Sequence, residues 1–137
     1  MARGDGWDAA QLADIANADG DDAPAWKPLR HHFGVRAFGI NAWIAAAAGA
    51  EVVEDHDELQ PDGAAGHEEL YAVASGRATF TVAGERLDAP AGTIVFVKDP
   101  AINRKAIAEE DGTTVITIGG WPDRAFEPSE WELKHLG

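Results

Sequence analysis

Between residues 67 and 97, apolar and polar positions alternate in short runs separated by glycine-bearing turns. His67 and Glu69 stand two residues apart, so in a strand both side chains point to one face. Leu70, Tyr71 and Val73 continue as strand formers, with Tyr71 and Val73 sharing the face of Glu69, and Ser75-Gly76 closes the run as a turn. The chain returns over residues 77–82 with Phe80 and Val82 on one face and Thr79 and Thr81 on the other. That period marks a strand with one dry face. Ala83-Gly84 predicts a second turn. Residues 87–90 lead into Gly92, and residues 93–97 are apolar on both faces, as in a strand covered on both sides. Three consecutive antiparallel strands with an apolar interior and polar groups at one end predict a barrel or jelly roll, because closure removes the sheet edges.

The flanking segments follow other patterns. Trp7, Leu12 and Ile15, with alanines between, predict a short helical stripe that Asp5 could cap, within an N-terminal arm at residues 1–25 that packs Trp7 on the barrel or on a second subunit. Residues 17–24 read as a solvated loop. Residues 26–33 resemble a strand led in by Pro28, which would turn His31 and His32 to opposite sides. Residues 35–48 predict a longer strand. Phe38, Ile40, Ala42 and Ile44 share one face; Ala37, Gly39, Asn41 and Trp43 share the other, where small residues would let another sheet or subunit approach. Residues 106–108 and 113–118 predict further strands joined by an Asp111-Gly112 turn. The barrel should span residues 26–122. A C-terminal tail at 123–137 should pack on it, with a short helix opening at Pro128-Ser129-Glu130 and Trp121, Phe126 and Trp131 as covering groups.

Several of these residues carry a family resemblance. Glu69, six residues and Gly76 resemble the end of the first cupin motif, G-x5-H-x-H-x3-4-E-x6-G. Gly84, five residues, Pro90, one residue and Gly92 resemble the start of the second, G-x5-P-x-G-x2-H-x3-N. The likeness covers roughly residues 45–119 and implies a cupin-type double-stranded β-helix, an all-β jelly-roll barrel. It implies a small organic molecule in the barrel and leaves the activity open: a metal-dependent oxygenase or isomerase, or a non-catalytic barrel without metal. The chain departs from the pattern in three places. His56-Asp57-Glu58 stands where the family has two histidines, an insertion separates Glu58 from Glu69, and counting from Gly92 puts Asn103 where the last histidine ligand would be.

A net charge of -13 and a pI near 4.5 argue against nucleic acid and anionic membrane as partners, since both carry negative charge. With no cysteine the chain has neither disulfides nor thiolate chemistry, and together with an N-terminus lacking an apolar signal core this points to the cytoplasm. Five tryptophans (Trp7, Trp26, Trp43, Trp121, Trp131) exceed what the outside of one barrel should expose, so a homodimer is expected, with the N-terminal arm as an edge-covering element.

The candidate chemistry lies in the charged stretch 51–69. His56 and Glu58 would share one strand face, and His67 and Glu69 another. If both strands line the barrel as in cupins, two imidazoles and two carboxylates converge, a donor set suited to Fe, Ni, Mn or Zn. The alternative is an acidic rim with solvated histidines. Without a metal, Glu69 and His67 are the acid–base candidates beside Tyr71, whose hydroxyl needs a partner in the barrel. Arg77, Arg86 and Arg104 could meet an anionic ligand, although arginines usually lie at the surface. Ser75 and Ser129 have no companion base and carry no nucleophile reading.

Overall fold

The computed structural model describes residues 3–18 and 24–136. The chain opens with a hairpin of β1 (Arg3–Gly4) and β2 (Trp7–Asp8), a single 3-10 turn at Leu12–Asp14, the short strand β3 (Ala25–Lys27) and helix α1 (Leu29–Phe33). Then come β4 (Gly39–Ile44), β5 (Glu51–His56), β6 (Glu68–Ser75), β7 (Arg77–Val82), β8 (Glu85–Pro90), β9 (Ile94–Val97), β10 (Arg104–Ala108), β11 (Thr114–Gly120) and helix α2 (Glu130–Leu136). One sheet has the order β5-β10-β7-β8 and the other β3-β4-β11-β6-β9, antiparallel throughout. Two such sheets closed on one apolar interior make a jelly roll.

The core between the sheets is built from the inward residues of each strand, among them Val52, Tyr71, Val73, Phe80, Val97, Ala106 and Val115. Tyr71 and Val73 are almost wholly buried while Leu70 and Ala72 are half-exposed, so β6 carries the expected register. Across the five-stranded sheet Tyr71 pairs with Thr117 and Val95, and Thr117 pairs with Asn41. Glu69, Gly119 and Gly39 form the next row toward the barrel mouth.

Local detail differs from the sequence pattern in four places. The N-terminal stripe is no helix beyond one 3-10 turn, and Asp5 lies in the turn of the β1–β2 hairpin. Ile15, with Leu12 beside it, packs on the outer face of β4 at Ala42 and Ile40, while Trp7 is 56% exposed. Most of the loop expected over residues 17–24 lies outside the described residues. Second, Pro28 ends β3 instead of leading a strand, and its fixed φ suits the start of α1, which carries His31 and His32 at the surface. Third, the outer side of β9 is open, with Ile94 and Phe96 more than half exposed at the sheet edge. Fourth, β4 spans six residues with its small-residue face turned inward: Gly39, Asn41 and Trp43 line the barrel cavity, and the opposite face takes the N-terminal arm.

Three of the five tryptophans line the cavity and do not coat the outside of the barrel. Trp26 is fully buried, and Trp26, Trp43 and Trp131 gather at the cavity, with Trp26 stacked on Trp43 (ring centroids 6.0 Å apart, planes 13° apart) and 4.4 Å from Trp131. Their number therefore says nothing about pairing of subunits. Among the described residues no helix is long and apolar enough to cross a membrane.

Candidate functional site

A cavity of about 440 Å³ runs into the barrel from the end where β5 finishes and β6 begins. One wall comes from the inward faces of β4 and β11. The C-terminal segment closes over it, with Phe126 against Gly39, and Trp131 and Glu132 from α2. Glu132 is buried and ion-paired with Arg30 of α1 at 2.5 Å, and the Ser129 hydroxyl accepts the Glu132 amide as the expected helix cap. The tail is thus pinned by a buried charge pair as well as by its aromatic rings.

The polar groups converge at one place in this cavity. His56 ends β5, and Glu58 follows two residues on; the inserted residues 59–66 then fold back as a small hairpin, with a Leu59–Ala65 bridge and a Gln60 amide donating to the Ala64 carbonyl. Gly66 passes so close to the Glu58 carbonyl that a Cβ there would collide with it. This return sets His67 beside Glu58, with Nδ1 3.9 Å from Oε1. His56 Nε2 lies 3.3 Å from Glu58 Oε2 and 3.5 Å from Glu69 Oε1. The Tyr71 hydroxyl donates to the same Glu69 oxygen, and Arg104 Nη1 donates to it at 3.0 Å.

Arg104 is the residue the sequence pattern misplaces. It is buried to 1% exposure at the start of β10, opposite His56 in the register, and donates also to the carbonyl of Ile102 at 2.9 Å. Asn103, which counting had put in the last ligand position, is exposed and donates to Asp55. Adjacent strand residues face opposite ways, so one step in the count exchanges an outward amide for an inward guanidinium. The surface reading of Arg104 is therefore wrong.

The two histidines are driven in opposite directions. Burial disfavours the His56 imidazolium, but its contacts with Glu58, Glu69 and the Glu54 carbonyl outweigh that and push its pKa up to about 10. His67 is pulled below the usual histidine range: burial dominates, and Arg124 adds to it against the pull of Glu58 and Glu69. Its ring stands edge-on to Trp121 at 4.2 Å, and His67 Nε2 and Trp121 Nε1 are both buried without a hydrogen-bond partner. Glu69 stays below the usual carboxylate range although burial works against it, because His56 and Tyr71 hydrogen-bond it and Arg104 lies alongside. Tyr71 is pushed far upward by burial and by the Glu69 charge, so its hydroxyl keeps its proton at any working pH.

His56, Glu58 and Glu69 could hold a metal ion: one donor atom from each lies within 4.8 Å of the others. The chemistry of the set fits. His56 Nδ1 is 2.7 Å from the Glu54 carbonyl, the contact that would fix the tautomer with Nε2 free to coordinate. His67 stands outside this group, nearest to Glu58 and separated from His56 by it.

Sequence reasoning missed Arg104 and the walls of the cavity. Trp131 reads as a covering group and Trp26 and Trp43 as apolar residues outside the barrel, yet Trp43 has an inward signal in its alternation with Asn41 and Gly39 on one strand face. The Arg30–Glu132 pair, 102 residues apart in the chain, leaves no local trace.

An antiparallel two-sheet barrel with a polar cluster inside one end is the cupin fold. No family model and no curated protein matches the sequence. Among solved structures, a Cupin 2 conserved barrel domain protein from Salinispora arenicola superposes with a TM-score of 0.64 at 20% identity, over 85% of this chain and 90% of that one. A sugar phosphate isomerase of the cupin superfamily from Silicibacter pomeroyi gives 0.64 at 14% identity, over 85% and 83%. An Acidithiobacillus ferrooxidans protein named as a candidate sugar phosphate isomerase gives 0.59 at 22% identity over 74% of this chain, which spans 61% of that protein's length.

Proposed function

We propose that this barrel binds a small organic molecule in its cavity and that His56 and His67, facing each other across Glu58, form an acid–base pair acting on it. The observation that carries this reading is the enclosure of His56, Glu58, His67, Glu69 and Tyr71 in one aromatic-walled cavity. Two titratable groups of one type held in opposite states suit proton transfer. His67, neutral, offers its lone pair at Nδ1, since Nε2 is buried; His56, protonated, would pass on the Nε2 proton it shares with Glu58 and Glu69. Glu69 is too well stabilised as an anion to be a strong base, and its role is to hold His56 in place and balance its charge. Such a pair fits an isomerase-type proton transfer, and two of the similar structures are named for isomerisation.

A second reading is favoured by the three converging donors. A divalent metal on His56, Glu58 and Glu69 would supply a Lewis acid to a ligand carbonyl or hydroxyl. Arg104 beside Glu69 opposes tight binding of a cation there, so affinity should be moderate.

The test is amide NMR of the labelled protein against a diverse set of small organic fragments. Shift changes should concentrate at Trp43, Tyr71, Thr117 and Trp131, and His67→Ala should weaken them. Perturbations confined to the outer surface would refute the reading. Metal is tested separately by titrating Fe(II), Ni(II), Mn(II) and Zn(II) into protein and His56→Ala, where equal uptake would remove His56 as a ligand.

A further inference from the structure

The charged groups around the cavity are distributed unevenly. Glu54, Glu58, Glu69 and Glu132 border it, and no lysine or arginine does among the described residues. Of the guanidinium groups near it, Arg124 lies over the Trp121 ring and not in the lining, and two others are held in ion pairs. Arg104 is fully buried on Glu69 and backbone carbonyls, and Arg30 is held by Glu132. A phosphate or carboxylate ligand would enter among carboxylates, and the His56 imidazole that borders the cavity is already held between Glu58 and Glu69. An uncompensated charge in a partly dry site is strongly disfavoured. A cationic ligand has no better claim, because Glu69, Glu132 and Glu58 each already face a cationic group or an imidazole.

The uncharged polar groups show what remains. Asn41 accepts the Trp26 indole N–H through Oδ1 at 2.8 Å, and Thr117 accepts the Trp43 indole N–H through Oγ1 at 3.2 Å. Each has used an acceptor and keeps a donor, the Asn41 amide N–H₂ and the Thr117 hydroxyl proton. The carboxylates supply acceptors nearby. With their N–H groups satisfied, Trp26 and Trp43 offer the ligand only ring surface. Walls that alternate donor, acceptor and indole suit a molecule bearing several hydroxyls on an apolar-faced ring.

We propose that the cavity takes an uncharged, polyhydroxylated ring molecule, in chemical class an unphosphorylated monosaccharide, and that it rejects the phosphate ester of the same sugar. This rests on the reading that the cavity is a ligand site.

The experiment uses the full chain and follows tryptophan fluorescence together with amide NMR. Glucose, galactose, mannose and xylose are each compared with their phosphate monoester and, where one exists, with the amino sugar. At least one neutral sugar should bind about tenfold or more tightly than its charged relatives, with shifts at Trp43, Asn41 and Thr117. Asn41→Asp keeps the acceptor for Trp26 and replaces the donor with a negative charge. It should weaken sugar binding about tenfold or more with unchanged circular dichroism. A phosphate ester or amino sugar binding as tightly as the neutral sugar, with or without added divalent metal, overturns the proposal. So does failure of every sugar to bind. If organic fragments still shift the cavity residues in that case, only the sugar assignment falls and the ligand-site reading stands.

Discussion

Replacing Arg104 by methionine removes the buried guanidinium beside Glu69 while keeping most of the side-chain volume. In the native protein its guanidinium donates to Glu69 Oε1 at 3.0 Å and to the Ile102 carbonyl at 2.9 Å, with the Tyr71 hydroxyl at 3.4 Å. Removing one partner of a buried ion pair typically costs about 3–5 kcal/mol, because the other charge is left uncompensated. Here His56 at 3.5 Å still faces Glu69, which places the loss near the lower end. The orphaned Ile102 carbonyl adds about 1 kcal/mol or more. We expect Arg104→Met to lose about 3–5 kcal/mol in urea denaturation at neutral pH, a large part of the ~5–15 kcal/mol of a typical domain. Neutralising the stranded acid should restore some of this, so Arg104→Met/Glu69→Gln should be more stable than the sum of the single losses predicts, by about 1 kcal/mol or more. A loss below about 1 kcal/mol for Arg104→Met, or strict additivity in the double variant, would show that the guanidinium does not support Glu69 and would refute the argument.

Tyr71→Phe keeps the edge-on contact with Phe80 (5.8 Å between centroids) and removes only the hydroxyl on Glu69, so a loss of about 0.5–1.5 kcal/mol is expected in the same assay; no loss would mean that the bond is not structural. Folding raises the His56 pKa from 6.5 to about 10, so the stabilisation is fully present below pH 6.5 and declines as pH rises through about 10. His56→Gln should flatten that alkaline decline, and an unchanged profile would contradict the assigned protonation. At Gly119 an added Cβ would lie 3.1 Å from Glu69 Cγ and 3.2 Å from the Glu68 carbonyl. Gly119→Ala should therefore displace Glu69, cost about 1–3 kcal/mol and weaken any metal or ligand binding; wild-type binding would show that Glu69 is not part of the site. Arg30→Ala strands Glu132 and should speed hydrogen exchange over residues 126–136 without altering the strands; unchanged exchange would mean that the pair does not hold the tail.

The alternation of residues 67–82 and the turn glycines were enough to set β6 and β7 and to turn Tyr71 and Val73 inward, because strand parity is a local property of the chain. Parity does not reach Glu58, which lies beyond the end of β5, or His67, which lies before the start of β6. Three things were decided only by tertiary structure. Which face of β4 turned inward depended on what covered the other, and the N-terminal arm took the apolar side and left Gly39, Asn41 and Trp43 to the cavity. The inward arginine depended on one residue of register after a loop, where counting from Gly92 carries no memory of which way the backbone re-enters the sheet. The opposite pKa shifts of the two histidines depended on burial against Trp121 and on contacts with Glu58 and Glu69, and an electrostatic environment is a sum over neighbours that the chain brings together only when the barrel closes.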